Sequence, residues 1–346
     1  ALVKRDVVRV MTAGTLMEDN LLQGHENNII AALVLPRVIT TQAMAGLSWM
    51  DISTGVFQTQ AVPAQDAAMV IDRIGAKELL LCDTDAQNPD AFDMLGAVQT
   101  SITTQPRSLF DAKNAQARLL DLYGVKTLDG FGAFEGVEVT AAGTLLDYVR
   151  RTQKGACPHI RTLTRLTPGM VMEMDVATRR NLEILKTLGG ERKGSLFHAL
   201  DTTRTAAGAR LLATRLSAPS CDMREINRRL DVTAHMISAP ALRETLSDHL
   251  SRMPDMERAL ARITVRRGTP RDLGMMRDAL NEIFNMRRAM QEADDNALSD
   301  LMERLALSPA IMGLQDRLNE LLIPEGLPTL ARDGGFIREG ASTQLD

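Results

Sequence analysis

Met174-Asp175-Val176-Ala177-Thr178-Arg179-Arg180-Asn181-Leu182-Glu183-Ile184-Leu185 opens a stretch, running to Pro219, in which the chain changes character. Asp175 stands where an N-cap would, its carboxylate able to accept the free N–H groups of a first helical turn. Leu182, Leu185 and Leu188 fall three apart and share a helical face. Gly189-Gly190 follows, and glycine ends helices by taking the left-handed conformation without a Cβ clash. Ala207, Leu211 and Leu212 repeat the helical spacing, with Gly208 beside them as a close helix crossing. The expectation is a helical hairpin at a junction between two architectures.

Upstream of it, strand-like and helix-like segments alternate. Residues 7–11, 28–35, 47–53 and 56–62 read as strands, with Ser53-Thr54-Gly55 as a hairpin turn between the last two. Gln65–Ile74 has helical spacing, Lys77–Cys82 reads as a buried strand, Pro89 opens a helix at its first position, and Ser101–Gln105 is strand-like again. Helices near 114–123 and 139–153 follow. This order predicts a mixed sheet covered by helices. From Thr152 to Pro168 periodicity is lost and Gly155, Pro158 and Pro168 cluster, which marks a linker.

Downstream the pattern is almost purely helical. Ile226, Leu230 and Ile237 share a face, as do Met256, Leu260 and Ile263; Leu273, Met276, Leu280, Ile283 and Met290 keep a longer stripe broken by Arg287. Thr269-Pro270 and Ser308-Pro309 each offer a hydroxyl cap followed by proline. Leu301, Leu305, Leu314, Leu318 and Leu321 extend the pattern to Ile323, and the tail after Asp333-Gly334-Gly335 finishes without a cap, as if cut.

Length, at 346 residues, implies two domains, and 45% hydrophobic with 24% charged residues describes a soluble globular chain. No apolar run is long enough to span a bilayer and no secretory leader is visible, so the expected location is cytoplasmic. Cys82, Cys157 and Cys221 are scattered and odd in number, which fits reduced thiols and excludes a Cys-x-x-Cys site. Up to residue 155 there are 13 Lys+Arg against 18 Asp+Glu; beyond it, 27 against 26, and 25 of those cations are arginine. Interleaved acid favours arginine–carboxylate pairing along helices, with Glu225/Arg229 and Asp300/Arg304 in the favourable i, i+4 order, over a surface that binds nucleic acid by itself.

Candidate chemistry is sparse. Gly189-Gly190-Glu191-Arg192-Lys193-Gly194-Ser195 lacks the Gly-x-x-x-x-Gly-Lys-Ser/Thr register of a phosphate loop. His25, His159, His198, His235 and His249 have no metal-ligand spacing, and Ser195 and Ser217 have no nucleophile-elbow context. Met275, Met276, Met286 and Met290 read as core before partner groove. Trp49, Tyr123 and Tyr148 are too few for a base-stacking platform. No catalytic, cofactor-binding or metal residue is assigned.

Several strings resemble the MutS family of DNA mismatch repair. Met174 to Glu183, Thr205-Ala206-Ala207-Gly208-Ala209-Arg210-Leu211-Leu212, Asp255 to Arg262, Pro270-Arg271-Asp272-Leu273 and Arg332-Asp333-Gly334-Gly335-Phe336-Ile337 are similar to its core domain. Arg9 to Leu16 (with Ala13 where proline is usual) and Gly46 to Gly55 are similar to its connector domain. The resemblance implies an entry segment at 1–14, a ribonuclease H-like α/β connector at 15–151, a linker at 152–170 and an all-α core or lever domain at 171–346, truncated before the clamp. It further implies an internal segment without catalytic role, since the Phe-x-Glu mismatch reader and the ATPase are absent from the string. ATP and Mg, mismatched double-stranded DNA and self-dimerisation would belong to the parent protein, expected to be a DNA-dependent ATPase, and a MutL-type partner would meet the connector. The alternative is a ribonuclease H-like, Mg-dependent nuclease centred on Asp51 in a strand-like run, with Asp83 following another strand.

Overall fold

The computed structural model describes residues 10–18, 20–40, 42–155, 158–292 and 298–341. Residues 7–9 of the first expected strand, Arg9 of the entry segment and Cys157 lie outside the described residues. Val10 and Met11 are exposed and outside any strand, Val10 N–H donating to Thr152 O at 2.9 Å.

Strands β1 (Ile29–Val34), β2 (Met44–Asp51) and β3 (Val56–Pro63) form an antiparallel meander. At the β2–β3 turn Asp51 O accepts from both Thr54 and Gly55 N–H, as the Ser-Thr-Gly chemistry anticipates. β4 (Glu78–Cys82) joins β1 in parallel and β5 (Ser101–Gln105) joins β4 in parallel. Parallel neighbours need crossovers, supplied by α1 (Ala67–Ile74) and by α2 (Asp83–Ala86) with α3 (Pro89–Leu95). A sixth strand, β6 (Thr164–Arg165), pairs in parallel with β3, so the order is β5-β4-β1-β2-β3-β6. This is the mixed sheet read from the sequence, with one strand more.

Because strand side chains alternate, each sheet face has its own cover. Ile29, Ala31, Leu33, Leu47, Trp49, Leu79 and Leu81 pack with Val70 and Ile71 of α1. On the other face, α5 (Gly136–Thr152) crosses β1, β2 and β3 and also packs on α4 (Ala112–Tyr123). Two glycines permit that approach: a Cβ on Gly46 would stand 2.1 Å from Val137 O, and one on Gly143 would stand 2.4 Å from Ala115 Cα.

The opening stretch differs from its sequence reading. α6 (Val176–Asn181) begins on Asp175, which accepts from Thr178 N–H at 2.9 Å as expected, but the helix stops at Asn181. Glu183 turns the chain with a left-handed φ of +47°, and Ile184, not the leucine trio, is buried; Leu182 and Leu188 are exposed. Gly190 therefore serves a loop turn closed by its N–H to Thr187 O, not a helix stop. The loop leads to α7 (Leu196–Leu200) and α8 (Ala206–Ser217). Gly208 is not a helix crossing either: a Cβ there would meet Thr205 Oγ1, the group that caps its own first turn.

Contacts divide the chain into Ala1–Asp201 with Arg210–Cys221, and Thr202–Ala209 with Asp222–Asp346. The segment 152–170, read as a linker, holds β6 and the buried Leu163, and residues 171–201, read as core domain, pack within the first unit through Ile184 and Phe197. A two-residue strand has no period to detect, which is why the linker looked free.

The second unit is helical: α9 (Met223–Ser238), α10 (Pro240–Arg252), α11 (Met256–Thr264), α12 (Pro270–Glu292), α13 (Ser299–Arg304) and α14 (Pro309–Leu321). Met290 and Met286 pack with Leu246 and Leu298, and Met276 with Leu280, Leu318 and Leu322, so these three methionines of α12 are core, while Met275 is half-buried outside both clusters. Leu230 and Ile237 of α9, read as a buried face, are 59% and 68% exposed.

Candidate functional site

The nuclease reading of Asp51 fails on geometry. Asp51 is 1% exposed at the end of β2; its Oδ2 accepts from Asn28 N–H at 2.9 Å and its Oδ1 from Ser53 N–H at 2.9 Å and Ser53 Oγ at 2.6 Å. The carboxylate thus shapes the hairpin turn. The other buried acid of the sheet, Glu78, is opposite Ile30 in β1, whereas Asp51 is opposite Ile29. Adjacent residues of one strand face opposite sides, so the two acids lie on different faces and cannot share an ion. Asp83 is exposed and accepts from Thr84 N–H, a cap-like role. Among the described residues no group of three or more His, Cys, Asp or Glu could hold a metal.

Glu78 is a residue that the sequence reading passed over. Oε1 accepts from Tyr148 OH at 2.7 Å and Thr103 Oγ1 at 2.8 Å; Oε2 accepts from Gly14 N–H at 2.9 Å and from Thr12 Oγ1. Four neutral donors thus stand around one carboxylate, tying the entry segment, β5 and α5 to β4. Burial, reinforced by the hydrogen bond to Glu78, pushes the Tyr148 phenol up to about 12. Only the isolated Glu in Glu-Leu-Leu-Leu hints at it, since its partners come from remote parts of the chain.

The phosphate-loop string is a structural turn. Ser195 Oγ donates to Arg192 O at 2.7 Å and accepts from His198 N–H at 3.1 Å, capping α7. Arg192 pairs with Asp201 and lies 4.7 Å over the Phe197 ring. Trp49 is buried, with Nε1–H donating to Gln58, and Tyr123 OH binds backbone at Arg161 and Leu163; neither offers a ring to a base.

What the structure does bring together is a polar joint along the edge of α1. Arg179, on the last turn of α6, is buried; its Nη1 donates to Ser217 O at the end of α8 and its Nε lies 3.4 Å from Asp72 Oδ2 on α1. Burial pushes the Asp72 carboxyl up against the opposing pull of Arg179. Beside it, Arg73 donates to Gln60 Oε1 at 2.7 Å, its pKa lowered by burial and by the Arg179 charge. Glu26 takes Lys77 at 2.9 Å on one oxygen and Lys186 at 3.3 Å on the other. Burial works upward on Glu26, yet the hydrogen bond and charge of Lys77, with Lys186, hold its pKa below the usual carboxylate value. Arg210 Nη1 donates to Gly24 O at 3.0 Å and Asn27 Nδ2 to Thr214 Oγ1 at 3.3 Å. These groups hold chain against chain and present no reacting centre.

Two family models match the chain: MutS domain II over residues 28–161 and MutS domain III over residues 177–343. The chain belongs to the MutS family. A DNA mismatch repair protein MutS from Nitrobacter winogradskyi is 41% identical over 350 residues, covering 100% of this chain and 39% of the relative. Those of Rhizobium meliloti and Paracoccus denitrificans are 42% and 39% identical, again across 100% of this chain and 37% and 38% of their own lengths. The chain thus spans about two fifths of the length of the curated MutS relatives it matches. Asp72 falls within the MutS domain II match and Arg179 within the domain III match, so their ion pair links the two domains. Glu26 does the same between Lys77 and Lys186.

Proposed function

We propose that this chain is a non-catalytic connector and lever segment of a mismatch recognition protein. It relays between mismatched-DNA binding and ATP turnover that reside outside residues 1–346. The observation that supports this most directly is the Arg179–Asp72 link between the domain II and domain III matches inside one compact unit. A helix clamped to a sheet domain passes a displacement of one to the other, and such coupling requires only that each end favour a different arrangement. The domain limits carried by this reading are a connector at 15–151 and a core from 171, with the intervening segment anchored through β6. ATP and Mg would serve the parent protein, a MutL-type partner would meet the connector, and self-association would involve the parent's other parts in a cytoplasmic setting. No helix of the described residues is long and apolar enough to cross a membrane.

The test is direct. Titrated with matched and mismatched duplexes in a gel-shift, this chain should show no discrimination and little salt-dependent binding, because several helical arginines, Arg228, Arg229, Arg252 and Arg262 among them, are already paired with carboxylates. It should not turn over ATP. Robust mismatch preference or ATP hydrolysis by residues 1–346 alone would sink the proposal.

A further inference from the structure

The joint at α1 is incompletely satisfied in a way that its neighbours are not. Arg179 is buried, yet among the described residues its Nε and Nη2 find no hydrogen-bond acceptor; at 3.4 Å from Asp72 Oδ2 the guanidinium gains charge attraction without a well-formed bond. Arg73 brings a second buried guanidinium close by, its own bond going to the neutral Gln60. The charge of Arg179 thus works against that of Arg73, and the carboxylate beside Arg179, Asp72, is already urged toward neutrality by burial. Buried polar groups are almost always paired, and a buried ion pair with poor geometry roughly breaks even against leaving both ions in water. By contrast Glu78, a few residues further on, has all its donors in place.

We infer that the Arg179–Asp72 contact is a marginal latch between the connector helix α1 and the first core helix α6, poised to open so that Arg179 is hydrated. Opening would release α6 and the Ser217 end of α8 together, since Arg179 holds both. Ion pairs flank the latch: Lys77 and Lys186, both on exposed side chains, can re-form their pairs with the half-buried Glu26 at little cost. The use of such a latch rests on the relay reading above; its physics does not.

Hydrogen–deuterium exchange on the 346-residue chain tests it, with the β1–β3 amides as internal reference. Replacing both partners by apolar groups of similar volume, Arg179→Met with Asp72→Leu, removes the buried charges; since the last turn of α8 also loses the Arg179 bond to Ser217 O, the readout is α6, where exchange should slow by about ten-fold or more. Asp72→Ala, which strands Arg179, should speed exchange there by about ten-fold or more. The sheet amides should not change in either variant. Faster exchange in the apolar double variant would overturn the proposal, because the ion pair would then be a fastener. So would changes spread equally through the sheet, which mark general destabilisation. If the double variant slows α6 as expected but, placed in the longer parent protein, leaves mismatch-stimulated ATP turnover unaltered, the latch stands and the relay reading fails.

Discussion

In the first unit the sheet buries Asp51 and Glu78 completely and surrounds each with neutral donors, whereas the second unit sets its carboxylates against arginines along half-exposed helices. Glu225 takes Arg228 and Arg229, Asp300 takes Arg228 and Arg304, Glu282 takes Arg252 and His249, and Asp272 takes Arg262. Both faces of the sheet are covered, while α9 carries Met223, Leu230 and Ile237, seven residues apart, into solvent. A sheet covered on both faces derives its stability from packing; helices held by charge pairs and partial faces are cheaper to bend.

The comparison can be broken most severely in the sheet. Leu80 is fully buried at the centre of β4, and Leu80→Ala should cost the first unit about 2–5 kcal/mol through lost burial and a cavity. Trp49 is the chain's single tryptophan and sits in that unit's core, so denaturant unfolding followed by its fluorescence reads the first unit alone. If Leu80→Ala instead shifted only the helical signal at 222 nm, the division into two stability units would be wrong.

Glu78 comes next. Gly14 N–H can only donate, whereas the Thr103 and Tyr148 hydroxyls can rotate to accept. Glu78→Gln can therefore keep its oxygen toward Gly14 and turn its NH2 toward the hydroxyls, costing about 1 kcal/mol. Glu78→Ala leaves the Gly14 donor buried and unpaired and should cost about 3 kcal/mol. Equal losses in the same fluorescence-detected unfolding would show that charge, not the donor ring, is what β4 requires.

Much of this was legible beforehand, for reasons that differ by residue. Continuous apolar runs revealed β1 and β4 because both sheet faces are covered, and Asp175 and Ser308 announced their helices because capping is local. Glu225/Arg229 and Asp300/Arg304 pair as their spacing anticipated. The spacing of Leu182, Leu185 and Leu188 misled, since three leucines three apart fit a helix as well as a loop and nothing local marks the left-handed turn at Glu183. Glu78 and the Arg179–Asp72 joint stayed hidden because their partners come from distant segments: pattern reports which face an element buries, not what it meets.

A smaller effect sharpens the helical side. The Arg228 and Arg229 hydrogen bonds, with burial working the other way, hold the Glu225 carboxyl down at about 2. A carboxylate depressed in the folded state contributes stability above its unfolded pKa and loses it as pH falls through the folded value. The contribution should thus be intact at pH 6 and fade between about pH 4.5 and pH 2, amounting to about 1 kcal/mol or less because the pair is partly solvated. Carboxyl NMR titration reads the midpoint, and an ordinary value near that of free glutamate would show the cluster to be open in solution.

The smallest effect is expected at Leu230, and it decides whether α9 is a covered or an uncovered helix in this chain. Its side chain is 59% exposed, midway along the stripe formed with Met223 and Ile237. Alanine has the higher helix propensity, and little apolar surface leaves water on folding at this position, so the two contributions nearly cancel. Leu230→Ala should leave the thermal transition at 222 nm within about 0.5 kcal/mol of the parent chain. A loss above about 2 kcal/mol is the signature of a buried leucine. It would mean that α9 packs its stripe against something in solution, and the second unit would then resemble the first in being closed on that side.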